Sequence, residues 1–402
     1  MPVAPPDRGP LAGVRVLDLS RVLAGPYCAM VLADLGADVI KVENPKGGDI
    51  TRAWGPPWAG GEATYYMSAN RGKRSLAVDL RDPAGVEVVR RIAATCDVVI
   101  ENFIPGGADR MGLGFDVLRE GNPRLVYCSI SGYPHDSPEA ALPGFDFAIQ
   151  AEGGIMSITG DVDGAPMKVG VAIADITSGM FAANGILAAL VAVRAGEPGR
   201  RVQVSLFDSQ LAWLANRGTE AAIAGWEPER FGNAHPSIVP YETFPTTSAH
   251  IVIAVGTDLQ FRSLCEAVGL PELGADPRFA TNPDRVANRG TLIPLLAEAT
   301  ARFDPEALLA ALAERDVPSG PVRTIPEALA AAPYALQEHA HPTAGAIRTI
   351  RSPISIDGEH LTSPRHPPLL GEHGRELLLE AGFSEVEADA ALAGPCAVPD
   401  GA

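Results

Sequence analysis

The sequence predicts an α/β fold: a large domain with a doubly wound, Rossmann-like parallel sheet, and a smaller α/β domain. Two observations predict the sheet. Short apolar runs typical of buried strands recur early in the chain, as at residues 14–20 and 37–43, and helix-like segments separate them. A third observation predicts the smaller domain. Near residue 225 the chain becomes rich in Pro, Asn, His and Thr, and a new strand and several helices follow.

Each element follows from its local pattern. A helix opened by Pro83 precedes the fourth strand, and a short helix ends near Gly153. Residues 176–195 predict a long helix, whose small residues indicate close packing against another backbone. Residues 200–218 predict a strand that leads into a helix. The first five strands are, in chain order, "VRVLDLS", "ADVIKVE", "RSLAVDL", "DVVIENF" and "RLVYCSISGY".

These patterns divide the chain into three parts. Residues 1–224 form the N-terminal part of the large domain, residues 225–330 the small domain, and residues 331–402 a C-terminal part that returns to the large domain. A chain of 402 residues is too long for one simple core, which supports this division.

Composition excludes several classes of protein. A net charge of −17 without a Lys/Arg cluster argues against a nucleic-acid binder. No run approaches the ~20 apolar residues of a membrane span, and the first ten residues lack the apolar core of a signal peptide. The five cysteines are scattered and form no CxxC, which predicts no disulfide framework, no metal site and a reducing, cytoplasmic location.

One carboxylate lies inside an apolar run. Residues 168–180, "KVGVAIADITSGM", contain Asp175 just before the predicted long helix. An isolated buried charge is costly, so this position indicates a functional anion. Asp is also a common helix N-cap, and the pattern alone leaves both interpretations open.

Three further stretches combine turns with residues suited to an anionic ligand. The first places a Gly-Pro turn after a strand, where backbone N–H groups suit phosphates and carboxylates. The other two carry Arg or Lys, which suit a phosphorylated ligand. An ordinary strand-to-helix loop and solvated loops remain the alternatives. The three stretches are "LDLSRVLAGP" (17–26), "YYMSANRGKRS" (65–75) and "ENFIPGGADRMG" (101–112).

Taken together, these stretches resemble the class III (CaiB/BaiF-type) coenzyme A transferases, and most of all the succinyl-CoA:dicarboxylate CoA-transferases among them. The resemblance extends from about residue 11 to about residue 373. Its motifs are "VLDLSRVLAGP", "GADVIKVE", "GGDITRAWGPP", "NRGKRSLAVDL", "VVIENFIPGGADRMGLGFDVL", "NPRLVYCSISGY", "GVAIADITSGMFAANGILAAL" and "FGNAHPSIVPYETF".

The resemblance implies that Asp175 is the catalytic nucleophile. Its carboxylate would attack an acyl-CoA to give an aspartyl anhydride and CoA thiolate, which then form an aspartyl-CoA thioester. A helix N-terminus and apolar neighbours would suit this anion and exclude water.

The resemblance also implies a set of CoA contacts. Leu23 stands where formyl-CoA transferase has a catalytically important Gln, which argues against formyl-CoA and oxalate as substrates. Asn44 stands where that enzyme has an Arg that binds CoA, so this contact stays open. The implied contacts are Val22, Leu23, Arg81, Asn102, Phe103, Arg110 and Met111.

Four residues are implied at the acyl group: Trp54, Tyr65, Phe145 and His235. His235 lies in "GNAHPSIVPY", which aligns with the family's mobile loop but is not glycine-rich. Its imidazole is suited to a second carboxylate on the substrate. A loop histidine with local hydrogen bonds is the alternative.

The predicted function is transfer of CoA from an acyl-CoA, with succinyl-CoA as expected donor, to a small carboxylic or dicarboxylic acid. An α-methylacyl-CoA racemase of the same fold is the alternative, but Phe145 replaces the histidine such an enzyme needs. A non-catalytic acyl-CoA binder is a third class, disfavoured by the intact motif around Asp175. The resemblance implies an interlocked homodimer, the CoA thioester as substrate, and no permanently bound cofactor.

Overall fold

The computed structural model describes residues 9–399. Within them the chain forms two compact units. The first comprises residues 9–155, 169–225 and 334–399, and the second comprises residues 156–168 and 226–333. Residues 156–168, which the sequence analysis placed in the large domain, therefore belong to the second unit. Residues 1–8, the start of the predicted large domain, lie outside the described part of the chain.

Six parallel strands form the main sheet of the first unit, so the predicted parallel sheet is confirmed. The sheet order is β3-β2-β1-β4-β5-β6, which is the doubly wound order and reverses between β1 and β4. In chain order the strands are β1 (Arg15–Asp18), β2 (Asp38–Glu43), β3 (Lys73–Ala77), β4 (Val98–Glu101), β5 (Val126–Ser131) and β6 (Arg201–Ser205).

Helices cover both faces of this sheet because both faces are apolar. Successive side chains of a strand point to opposite faces, so Val16 enters one hydrophobic core and Leu17 the other. The first core is covered by the helices Ala24–Asp34 and Ile173–Arg194. The second is covered by Pro83–Ala93, Gly374–Glu380 and Glu385–Ala393.

The helix Ile173–Arg194 packs closely through its glycines, as its sequence predicts. A Cβ atom on Gly179 would lie 2.6 Å from the carbonyl oxygen of Ala24, and one on Gly185 would lie 2.7 Å from Cγ1 of Val202. Any larger side chain would push the helix away from its neighbours. The close approach at Gly179 fixes the N-terminal half of this helix, which carries Asp175, against the first turn of the helix Ala24–Asp34.

The same helix is long and apolar enough to cross a membrane, by length and composition alone. This differs from the sequence analysis, which found no run of that kind. The helix has 22 residues, and its most apolar 18-residue stretch has a mean hydropathy of 1.8 and is half buried inside the protein. Core helices of globular proteins share these properties.

The first unit contains further short elements. Its other helices are Thr64–Met67, Gly107–Arg110, Phe115–Gly121, Asp146–Glu152, Leu206–Trp213 and Ala215–Ala224, with a 3₁₀ turn at Ile50–Ala53. Its hairpins pair Trp58–Ala59 with Glu62–Ala63, Leu336–His341 with Gly345–Ile350, and Ser355–Ile356 with Glu359–His360. Two helical turns, Ile155–Ile158 and Pro333–Ala335, lie where the chain passes from one unit to the other.

The second unit is built on a three-stranded antiparallel sheet. Its strands are Tyr241–Pro245, His250–Ala254 and Ser319–Pro321, and its helices are Asp258–Ala267, Pro271–Ala275, Asn282–Ala287, Arg289–Thr300, Pro305–Ala313 and Ile325–Ala331, with a 3₁₀ turn at Pro277–Phe279. All five cysteines of the protein are buried and free.

Candidate active site

Asp175 is the third residue of the helix Ile173–Arg194 and is half-buried. The helix begins three residues earlier than the predicted start at residue 176, so Asp175 lies inside its first turn. The N-cap position belongs to Ala172, and the interpretation of Asp175 as the cap of this helix is therefore wrong. Within residues 9–399, no hydrogen bond engages the Asp175 carboxylate.

Asp146, from a different helix, supplies the missing cap. It is the first residue of the helix Asp146–Glu152, and its Oδ1 accepts a hydrogen bond of 2.9 Å from the backbone N–H of Ala174. This satisfies one of the N–H groups that every helix N-terminus leaves without an intrahelical partner. Because Asp146 does the capping, the carboxylate of Asp175 is left uncommitted.

Gln150 holds Asp146 and the segment before the helix in one arrangement. Its Nε2 donates to Oδ2 of Asp146 at 2.7 Å and to the carbonyl of Val171 at 3.3 Å. Its Oε1 accepts from the N–H of Val169 at 2.9 Å. Gln150 is fully buried, so these bonds are shielded from water. Asp146 and Gln150, which are one helical turn apart, therefore hold residues 169–174, the segment that leads to Asp175, in place.

The environment of Asp175 favours its neutral form. Burial, followed by repulsion from Asp146, raises the pKa of Asp175 from 3.8 to about 7. The helix N-terminus attracts a negative charge, but desolvation and the second carboxylate outweigh it here. The group is thus partly protonated at neutral pH and becomes increasingly ionised as the pH rises above it.

Aromatic side chains lie beside this carboxylate. Burial, Asp175 and Asp146 together raise the pKa of Tyr65 to about 12, so the three groups share one environment and Tyr65 stays protonated. The rings of Trp54 and Tyr65 meet edge to face, with centroids 5.1 Å apart. Phe145 directly precedes Asp146, and its side chain is 64 % exposed. Of the predicted substrate residues, Tyr65 thus lies close to the two carboxylates, Trp54 contacts Tyr65, and Phe145 is the chain neighbour of Asp146.

The predicted CoA contacts centre on the loops that follow β1 and β4. Ligands of doubly wound folds bind where the strand order reverses, which is between these two strands. The loops are tied together by a reciprocal pair: the N–H of Arg21 donates to Oδ1 of Asn102 at 2.9 Å, and Nδ2 of Asn102 donates to the carbonyl of Arg21 at 2.7 Å. The guanidinium of Arg21 lies 5.5 Å from the ring centre of Phe103.

Val22 has an unusual backbone. Its φ is 73°, a left-handed conformation that costs about 1–3 kcal/mol for a residue other than glycine. Its N–H points to the carboxylate of Asp49, at 3.2 and 3.3 Å from the two oxygens. The next residue, Leu23, is buried at the N-cap of the helix Ala24–Asp34, with no side-chain hydrogen bond there.

Other predicted contacts lie further along the same edge of the sheet. Arg110 ends the short helix Gly107–Arg110 and is exposed, and Met111 packs on the second core. Arg81 is 72 % exposed and forms a surface ion pair with Asp79, at 2.8 Å. Asn44 is exposed, and its Oδ1 accepts from the N–H of Lys46. A CoA phosphate would have to share Arg81 with Asp79.

His235 belongs to the second unit, so its approach to Asp175 stays a prediction. Its N–H donates to the carbonyl of Tyr241 at 2.9 Å, and its Nδ1 accepts from the N–H of Ser237 at 3.0 Å. Nη2 of Arg289 donates to the carbonyls of His235 and Pro236, at 3.0 and 2.8 Å. The local hydrogen bonds foreseen for a loop histidine are therefore present, and Arg289 places a positive charge beside the loop.

The geometry suits covalent chemistry on Asp175. An uncommitted, half-buried carboxylate with a raised pKa is a stronger base and nucleophile than an exposed one. The sequence analysis assigned no role to Asp146, Gln150 or Asp49. A usable signal existed for the first two, because residues four apart on a helix share one face.

The chain was compared with known proteins. The family model described as "CoA-transferase family III" matches residues 11–374. The chain is 45% identical over 387 residues to a succinate–glutarate CoA-transferase of Agrobacterium fabrum, covering 94% of this chain and 96% of that protein. It is 41% identical over 379 residues to the human succinyl-CoA:glutarate CoA-transferase, covering 92% and 86%. The crystal structure of a CaiB/BaiF family protein from Brucella suis superposes with a TM-score of 0.83 at 43% identity, covering 93% and 99%.

Proposed function

Because this chain belongs to CoA-transferase family III, as its motifs imply, we propose that it moves CoA from succinyl-CoA to a small dicarboxylic acid through covalent intermediates on Asp175. Membership of the family makes it an enzyme of the CoA-transferase type. The single observation that carries the proposed mechanism is the uncommitted, half-buried carboxylate of Asp175 with its pKa raised to about 7.

The proposed reaction begins with attack on the thioester. A carboxylate oxygen of Asp175 bonds to the acyl carbon, the C–S bond breaks, and the electron pair leaves with CoA as thiolate. The products are a mixed anhydride and bound thiolate. The thiolate then attacks the Asp175 carbonyl of that anhydride, which releases the first acid and leaves an aspartyl-CoA thioester. An incoming carboxylate reverses both steps, so CoA leaves on the new acid and Asp175 is regenerated.

The surroundings of Asp175 support these steps in two ways. A carboxylate with a raised pKa is a stronger nucleophile than an ordinary one, and it is still ionised at slightly alkaline pH. The rings of Trp54 and Tyr65 line the same environment and limit the water that would hydrolyse an anhydride. Tyr65 keeps its proton and is suited to donate a hydrogen bond to an oxygen that gains charge.

CoA binding is assigned to the edge of the sheet where the strand order reverses. Backbone groups of residues 20–23 and side chains after β4 line that edge. The contacts proposed are those named from the family resemblance: Val22, Leu23, Arg81, Asn102, Phe103, Arg110 and Met111.

The choice of a dicarboxylic acid rests on the relatives and on the family resemblance. The two named relatives above are called glutarate CoA-transferases. The resemblance implies that His235 serves the acyl group, and an imidazole is suited to a second carboxylate on the substrate.

The interlocked homodimer is part of the proposal. The helix Ala215–Ala224 buries none of its residues in the chain itself, and Ile223 is 82 % exposed. Leu211 and Trp213 on the preceding helix are each 43 % exposed. Apolar surface of this kind favours a partner subunit, and light scattering tests this by showing whether the mass is twice 42.0 kDa.

An assay with matched acceptors tests the substrate class. With succinyl-CoA as donor, we expect kcat/KM for glutarate to exceed that for pentanoate, a monoacid of the same length, by at least about tenfold, because a site built for a second carboxylate is left unpaired by the monoacid. Product CoA esters are measured by mass spectrometry. Equal rates with both acids would contradict the dicarboxylate proposal and leave CoA transfer standing.

The pH profile tests the proposed role of Asp175 as an anion. Activity should rise as pH increases through about 7, where its carboxyl ionises. Asp146→Asn removes the second charge and keeps an oxygen that can accept from Ala174, so the acid limb of kcat/KM should move to lower pH by roughly one unit. Asp304→Asn, at a helix cap of the second unit, is the matched control and should leave the limb unmoved. If the acid limb of kcat/KM does not move in Asp146→Asn, the electrostatic coupling between Asp146 and Asp175 is refuted.

A further inference from the structure

The strain at Val22 needs a cause outside the loop. A β-branched residue avoids a left-handed backbone, and glycine would adopt it freely. The loop of residues 20–23, called here the β1 loop, nevertheless holds Val22 at a φ of 73°. A conformation of this kind persists only where the surroundings over-determine it.

Asp49 supplies one of those constraints. Its two carboxylate oxygens lie 3.3 and 3.2 Å from the N–H of Val22, which is aimed at them by the left-handed turn. Asp49 is itself buried, at 1% exposure, and its Oδ1 accepts from the N–H and the hydroxyl of Thr51, at 3.0 and 2.9 Å. The Asp49 carboxylate, which accepts from the N–H of Val22, is therefore held in place by Thr51, outside the loop.

Lys41 connects Asp49 to the other end of the same loop. Its Nζ donates to Oδ2 of Asp49 at 3.0 Å and to the carbonyl of Ser20 at 3.0 Å, and the side chain is fully buried. The buried ammonium of Lys41 thus connects Asp49, which faces the N–H of Val22, to the backbone carbonyl of Ser20.

A second buried ion pair holds the start of the loop. Asp18, the last residue of β1, accepts from the N–H of Ser20 at 3.0 Å and also from its hydroxyl. Nζ of Lys73 donates to Asp18 at 2.9 Å and to the carbonyl of Pro26 at 2.9 Å. The pair is completely buried. Residues on both sides of the β1 loop are therefore anchored to charged side chains.

Stability alone does not explain this arrangement. Buried ion pairs are expensive to desolvate, and well-packed apolar residues often serve as well. These two pairs bond to backbone groups of Ser20, Val22 and Pro26, at the point where the strand order of the sheet reverses. That point is where doubly wound folds bind their ligands. The network therefore determines the shape of a ligand-binding loop.

We propose that Asp49 is a positioning residue, which holds Val22 in its left-handed conformation and so keeps the β1 loop in the shape that receives acyl-CoA. This inference rests on the proposed function, because the ligand of the loop is the CoA thioester. Asp49 does not touch the reacting atoms. Its loss would release Val22 to an unstrained conformation and move the backbone N–H groups and side chains of the loop away from CoA.

The test compares Asp49→Asn with the double variant Asp49→Asn/Val22→Gly. Asp49→Asn replaces one of the two oxygens that face the N–H of Val22 with an NH2 group, which cannot accept from Val22 or Lys41. It should raise the dissociation constant of CoA, measured by calorimetry, by about tenfold, and the KM for succinyl-CoA equally. The KM for the acceptor acid should change by less than about twofold, because the loop is proposed to bind CoA and not the acid. Adding Val22→Gly should restore most of the CoA affinity, since glycine adopts the same φ without strain and keeps the backbone groups of residue 22 that are proposed to line the CoA edge.

Asp34→Asn is the matched control. Asp34 is also a buried ion-pair carboxylate of the first unit, joined to Arg71, but it makes no recorded bond to the β1 loop. It should lower thermal stability and leave CoA affinity unchanged. If Asp49→Asn does not fold, Thr51→Val replaces it, because it removes one bond to Asp49 and keeps the charge. A smaller loss of CoA affinity, again reversed by Val22→Gly, is then expected.

Three results would overturn the inference: unchanged CoA affinity in the Asp49 and Thr51 variants, an equal loss of affinity in Asp34→Asn, or no recovery with Val22→Gly. Calorimetry with CoA needs no turnover. A wild-type protein that does not bind CoA would refute the proposed function, whereas wild-type binding with unaffected variants would refute only the role of Asp49.

Discussion

Asp175→Asn lowers kcat for CoA transfer by at least about a thousandfold, because an amide cannot form the anhydride through which the reaction is proposed to pass. The substitution preserves the size of the side chain, and no recorded hydrogen bond of the described chain depends on the Asp175 carboxylate. The fold should therefore remain intact. A variant with near-normal turnover would contradict the nucleophile role.

The same variant should be more stable than the wild type in alkaline solution. The folded pKa of Asp175, about 7, lies above its ordinary value of 3.8. A raised carboxyl pKa means that ionisation destabilises the fold: the effect is absent below about pH 4, grows as pH rises toward 7, and is complete above it. Thermal midpoints of Asp175→Asn and wild type should thus differ more at pH 8 than near pH 4. A lower midpoint for the variant at pH 8 would show that the carboxylate is structurally required.

Lys73→Met should cause the largest loss of stability among single substitutions near the site. Nζ of Lys73 serves three buried acceptors: Oδ2 of Asp18, the carbonyl of Pro26 and Oδ1 of Asn70, all within 2.9 Å. Removing the cation leaves the buried carboxylate of Asp18 without its ion-pair partner, a change that costs about 3–5 kcal/mol. We expect the thermal midpoint to fall by at least about 5 °C.

Lys46→Met is the control for that substitution. Lys46 is an exposed lysine of the same unit, and its side chain enters no recorded ion pair in the described chain. Its replacement should change the midpoint by less than about 1 °C, as is usual for surface positions. A fall of equal size in both variants would mean that the loss of a positive charge, and not of the buried pair, sets the stability.

The fold was predictable because the strands are short apolar runs whose neighbours leave few choices of topology. The position of Asp175 in the helix was not predictable, because the cap comes from Asp146, 28 residues before the Ala174 that it caps. The start of the helix at Ile173 depends on the distant carboxylate of Asp146, and no local sequence pattern predicts that contact. Conversely, the small residues of this helix did predict the close approach at Gly179.

The buried ion pairs show a second limit of the sequence. Lys41 lies within the apolar run "ADVIKVE", and Asp18 within "VRVLDLS". A charged residue inside a buried strand indicates that an ion-pair partner is present, but the identity of that partner depends on which strands become neighbours. Lys41 pairs with Asp49 eight residues later, whereas Asp18 pairs with Lys73, 55 residues away. Only the assembled sheet decides between such pairings.

Trapping with hydroxylamine tests the covalent mechanism most directly. The anhydride and the thioester on Asp175 are both electrophiles, and hydroxylamine converts either into a stable hydroxamate on the same side chain. The enzyme is mixed with succinyl-CoA and hydroxylamine, digested, and the peptide containing "VGVAIADITSG" is sequenced by mass spectrometry. Asp175→Asn and an incubation without acyl-CoA serve as controls. The account predicts a hydroxamate on Asp175 in the wild type only, and only with acyl-CoA present. Turnover with Asp175 unmodified, or a hydroxamate on Asp146 or another carboxylate instead, would contradict it.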